Sequence, residues 1–159
     1  MKRFLLIFPL VLVLFLACAS MGTKVSEPVT YSETIDVAGV SQSALWTKAS
    51  GWRISGSSKY GFASATPIES DEKSGVIKGF YYNELTVGIM EDLYKFRSNY
   101  TIEVKDGKVQ ISFSDLEYSS YFSGAWFEKG PVVTENMANK VKEDWVKVAA
   151  NLKSYILAK

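Results

Sequence analysis

Thr30 to Val37 alternates between apolar and polar positions. Tyr31, Ile35 and Val37 share one side, with Glu33 as an exception, and Ser32, Thr34 and Asp36 share the other, which predicts a half-buried strand ending at Ala38-Gly39. The period then changes. Leu45, Ala49 and Trp52 recur at helical spacing behind Ser41, a suitable N-cap, and Trp46 widens the stripe. A helix from Ser41 to about Ile54 follows, with Gly56 as the stop signal.

Two strands are predicted next, Ala65 to Glu69 and Val76 to Tyr82, joined by the polar turn Ser70-Asp71-Glu72-Lys73-Ser74-Gly75. Pro67 cannot donate to a ladder, so the first of them belongs at an edge or ends early. Residues 83–93 carry the weakest pattern. Leu85, Val87 and Ile89 alternate and extend the second strand, while Gly88 counts against a helix. Asp106-Gly107 marks a two-residue hairpin turn of type I′. It pairs Val104 with Val109, Ile102 with Ile111 and Tyr100 with Phe113 on one face, leaving Glu103 opposite Gln110 and Thr101 opposite Ser112 on the other. Slipping this register by one residue would turn every apolar side chain outward.

Leu116 and Tyr118 fall on the opposite phase, so a bulge or strand end is expected near Asp115. Residues 119–133 read as irregular. A long amphipathic helix starts near Thr134, with Met137, Val141, Trp145, Val148, Leu152 and Ile156 as its stripe. Lys140 with Asp144, and Glu143 with Lys147, are expected as exposed pairs. The order β-α-β-β-β-β-α is satisfied by an α+β fold: an antiparallel sheet with two helices packed on one face.

The chain opens on Met1-Lys2-Arg3, an apolar run from Phe4 to Ala17, and then Cys18. This is the layout of a secretory signal segment, 1–17, cut before the cysteine. A retained membrane anchor is the alternative, but the run is short for a span and contains Pro9. Phe15-Leu16-Ala17-Cys18 resembles a lipoprotein signal-peptidase site, with Ala17 as its small residue. Phe15 and Leu16 depart from the usual residues of that site. Cys18 is the chain's one cysteine, so an internal disulfide is impossible and acylation gives the thiol a use. Residues 18–29 are then the lipidated N-terminus and tether, and 30–159 a single domain. Ala19 is not the aspartate that resembles an inner-membrane retention signal, which points to the outer membrane where a cell has two.

Val37-Ala38-Gly39, Trp52 near a helix end, Gly75-Val76-Ile77-Lys78-Gly79 and the hairpin Tyr100 to Lys108 resemble a family of uncharacterised bacterial lipoproteins with a TATA-binding-protein-like fold. The resemblance covers residues 30–118. It implies that fold and a lipoprotein character; it brings no agreed activity, no cofactor and no catalytic residues. The fold name does not imply DNA binding, because function resides in sites.

The chain of 159 residues has a formal net charge of +1, which gives no electrostatic case for nucleic acid. Histidine is absent, which removes histidine-based nucleophile systems and zinc sites, and no phosphate loop is present. Carboxylates remain. Glu69, Asp71 and Glu72 cluster on a turn and Glu91 adjoins Asp92, the only support for a carboxylate-dependent hydrolase or a calcium site. A solvated turn explains the cluster as well. Ser70 with Lys73 is a lone Ser-x-x-Lys pair without partner motifs.

Aromatic residues make up 14% of the chain. Those expected in strands are ordinary core residues. Tyr121, Phe122, Trp126 and Phe127 fall in the stretch read as irregular and form the candidate partner-binding surface. The reading is a non-enzymatic envelope protein, without cofactor or metal. It is held to membrane lipid through acylated Cys18 and contacts a protein, a peptide or cell-wall material. A carboxylate-dependent hydrolase and a purely structural envelope component are the alternatives.

Overall fold

The computed structural model describes residues 23–58, 61–87, 92–122, 124–130 and 133–158. Cys18 and the expected signal segment 1–17 lie outside the described residues. The elements are β1 (Tyr31–Asp36), α1 (Gln42–Gly51), β2 (Ser55–Ser58), β3 (Gly61–Asp71), β4 (Val76–Val87), β5 (Asp92–Lys105), β6 (Lys108–Phe122), β7 (Ala125–Gly130) and α2 (Glu135–Leu157).

The strands form one antiparallel sheet in the order β1-β6-β5-β4-β3-β2, and β7 pairs with the far half of β6. β1 lies along Lys108–Phe113 and β7 along Tyr118–Phe122, so both border the same strand at different heights. Both helices pack on one face, as expected. Leu45, Trp46 and Ala49 of α1 are buried, and so is the whole predicted stripe of α2. Trp145 stacks on Phe113 at 5.2 Å between centroids. Trp52 donates its indole N–H to Asn151 at 2.9 Å, and Lys48 donates to the Ile156 carbonyl at 2.9 Å, which ties the two helices together.

The central hairpin keeps the expected register, with Val104 opposite Val109, Ile102 opposite Ile111 and Tyr100 opposite Phe113. Its tip differs. Gly107 has φ +72°, but among the described residues Asp115 is the non-glycine residue with positive φ, so Asp106 does not adopt the type I′ conformation. Asp106 is recruited elsewhere: its Oδ1 accepts the Gln42 N–H at 2.7 Å, and Val40 and Val37 bond the Gly107 backbone. The expected parity change is present. Asp115 has φ 52°, the β5–β6 register shifts beside it, and Leu116 turns inward.

Several expectations are corrected. The first helix ends at Gly51, where the Trp52 N–H closes on the Lys48 and Ala49 carbonyls and the chain turns extended. β2 is a strand without an apolar residue, Ser-Gly-Ser-Ser, so no periodicity announces it. The stretch read as irregular is a hairpin: β6 runs on to Phe122 and β7 returns. Among its described side chains none is buried, so the hairpin carries no burial pattern to read. Lys140 pairs with Glu143 at 3.6 Å, not with Asp144, which turns toward the sheet.

The two glycines of Gly75-Val76-Ile77-Lys78-Gly79 have separate causes. Gly75 turns with φ +71°, and a Cβ there would stand 2.3 Å from the Val104 carbonyl oxygen. At Gly79 a Cβ would meet the Thr66 oxygen at 2.2 Å and the Tyr100 ring at 2.7 Å. The pair admits two close approaches by neighbouring strands.

Candidate functional site

Alternation along β5 divides the sheet. Phe96, Ser98, Tyr100, Ile102 and Val104 are buried beneath the helices, while Lys95, Arg97, Asn99, Thr101 and Glu103 point to the other face. No helix among the described residues covers that face. Register places Tyr82 opposite Arg97, Arg97 opposite Glu117, Lys95 opposite Ser119, and Ser119 opposite Glu128. These residues line a depression of about 470 Å³. A second depression of about 500 Å³ adjoins it, sharing Tyr82 and Lys95 and bounded by Ser64, Thr66 and Glu84.

Each cation in this groove lies between a carboxylate and a ring. Arg97 donates to Glu117 Oε2 at 2.6 Å and stands 4.8 Å from the centroid of Phe80. Lys95 is 3.5 Å from Glu84 and 4.6 Å from the ring of Trp126. Balanced charges and aromatic faces suit a ligand rich in hydrogen-bonding groups with some apolar surface. They do not make an electrostatic trap for an anion. Periodicity left this groove unseen, because its cations, Lys95 and Arg97, lie just beyond the weakly patterned stretch 83–93 on the polar phase of a strand.

The predicted surface is only partly brought together. Tyr121 and Trp126 are directly paired across β6 and β7, with ring centroids 5.2 Å apart, on the open face beyond Lys95. Phe127 pairs with Ser120 and therefore points to the opposite side of the hairpin, where it is also exposed. The Phe122 side chain lies outside the described residues. Tyr118 faces inward against Phe96 and Tyr94, and Tyr81 is buried.

The carboxylates offer no converging pair. Glu69, Asp71, Glu72 and Asp92 are all exposed, and Glu91 lies outside the described residues. The Ser74 hydroxyl, followed by the Lys73 and Ser74 backbone, holds the Asp71 carboxyl below its usual range, which is opposite to what a general acid needs. No group of three or more metal-ligating side chains gathers among the described residues. Among the described residues, Asp144 is the carboxylate drawn inward: its Oδ2 accepts from the Tyr81 hydroxyl at 2.6 Å and the Asn83 amide at 2.7 Å. Asn83 is buried, and this pair of bonds pins α2 to β4.

The comparisons agree with this architecture. A TBP-like protein from Parabacteroides distasonis ATCC 8503 superposes with a TM-score of 0.63 at 14% identity, covering 89% of this chain and 99% of that one. A DUF4468 family protein from Bacteroides ovatus ATCC 8483 superposes with a TM-score of 0.53 at 13% identity, covering 88% and 95%. At such identities the likeness establishes the fold alone. No curated protein matches the chain. A family model does match residues 31–119, more than half of the chain. The chain therefore belongs to the family described as a domain of unknown function (DUF4468) with TBP-like fold.

Proposed function

We propose that the chain is a lipid-anchored protein of the bacterial envelope whose domain is a non-enzymatic binding module. Acylated Cys18 holds it on a membrane facing the periplasm or the exterior. The helix-free sheet face binds a protein, a peptide or cell-wall material. The observation that supports binding most is the groove of Tyr82, Lys95, Arg97, Glu117 and Glu128 on the sheet face that both helices leave open. The anchor is supported by the basic start, the apolar run and the lone cysteine behind Ala17. A hydrolase has no converging carboxylates to draw on among the described residues.

Growth with radioactive palmitate tests the anchor. Label is expected on the wild-type chain and lost in Cys18→Ala. Equal labelling of both would refute lipidation at this cysteine.

A further inference from the structure

Residues 23–29 lie against the domain. The Val25 N–H bonds the Val133 carbonyl at 2.9 Å, the Glu135 N–H bonds the Thr23 carbonyl at 2.8 Å, and Val29 is buried. The chain from the N-terminus is thus fastened at the start of α2, which the β6–β7 hairpin feeds. Five Cα steps separate Cys18 from Thr23, and they reach at most about 18 Å in any conformation. A lipid on Cys18 therefore keeps this end of the domain close to the bilayer.

The hairpin at that end has an unusual surface. Trp126 and Tyr121 are exposed on one side and Phe127 on the other. The other exposed large apolar residues do not converge in this way: Ile68 is on β3, and Val146, Tyr155 and Leu157 are spread along α2. A platform for stacking a ligand would place its rings on one side. Rings on both sides of a two-stranded projection suit immersion. Trp and Tyr, apolar in body with one polar atom, are the residues favoured at the lipid–water boundary. Lys95 sits over Trp126, and the nearest carboxylate on β7, Glu128, stands two residues back from it, away from the turn. Lys95 is matched by Glu84 at 3.5 Å, so the rings and not a net charge carry this contact.

We infer that the β6–β7 hairpin dips into the headgroup region of the bilayer holding Cys18, with Trp126, Tyr121 and Phe127 as its contacts. This rests on the lipid-anchor reading above. It gives the domain a fixed orientation, with the groove beside the membrane and α1 and α2 on the side away from the groove.

Tryptophan fluorescence tests it on the full acylated protein. Trp46, Trp52 and Trp145 are buried and Trp126 is 37% exposed, so a contact quencher in the lipid reports chiefly on Trp126. The protein is reconstituted into phosphatidylethanolamine–phosphatidylglycerol vesicles with or without brominated acyl chains. Brominated lipid should quench the emission. Trp126→Phe should abolish the quenching, and Tyr121→Ser with Phe127→Ser should remove most of it while the near-UV circular dichroism remains native. Acylated protein that floats with the vesicles and shows equal emission in both lipids overturns the hairpin contact and leaves the anchor standing. Protein that carries no lipid and fails to float refutes the anchor, and the hairpin contact falls with it. Trp126 shielded from both brominated lipid and acrylamide, with a doubled mass in detergent, overturns the contact in favour of a second copy of the chain.

Discussion

Tyr81, Tyr100 and Tyr31 show how the core sets proton affinity. Burial pushes the Tyr100 hydroxyl up to about 12, against a partial opposing pull from Arg53. Tyr31 also rises to about 12, through burial and then its bond to Glu33. Tyr81 is driven higher by burial first and the Asp144 carboxylate second. A raised tyrosine pKa means that the fold favours the neutral phenol. The stabilisation is complete below the unfolded value of about 10 and is lost as pH rises through about 12. The thermal unfolding midpoint should therefore fall steeply above pH of about 10. In Tyr100→Phe that decline should be shallower, by the order of 3 kcal/mol for a two-unit shift. A decline of unchanged steepness in the variant would contradict the assignment. None of this was legible in the chain, where Tyr81 is one aromatic among many until the sheet fixes its face. Asp144 was likewise expected in a surface pair, because helical spacing cannot reveal a tyrosine and an asparagine waiting on another element.

At the level of elements, legibility followed burial. The Tyr100–Phe113 hairpin was readable because one face is covered and alternation must be strict. α2 was readable for the same reason, its stripe facing the sheet for its full length. β2 and β7 carry no comparable apolar face, so their residues show no period. The central turn adds a lesson of another kind. Asp106 was read as a turn residue, yet its carboxylate receives the first N–H of α1 and so joins the hairpin tip to the helix start. Asp106→Ala should cost about 1 kcal/mol in urea unfolding, as loss of a helix cap does. Asp106→Asn, which keeps an acceptor oxygen, should cost much less. Equal losses in the two would assign the effect to charge and not to the hydrogen bond.

On the scale of the whole molecule, the helices bury one sheet face and leave the other uncovered among the described residues. The expected fold class was legible from element order, since only a covered sheet satisfies all the stripes at once. The groove was not, because outward-facing polar residues look like any solvated strand face until register aligns Tyr82, Arg97 and Glu117 across three strands. The same register separates Phe127 from Tyr121 and Trp126, which adjacency in the chain had grouped together. On the proposed function, this open face, not the helical one, meets the partner. Site-specific photocrosslinking in intact cells tests it most directly, with p-benzoyl-phenylalanine in place of Tyr82 in the groove or of Val146, exposed on α2. A discrete adduct is expected from position 82 and none from position 146. Adducts from position 146 alone, or the same products from both, would contradict it.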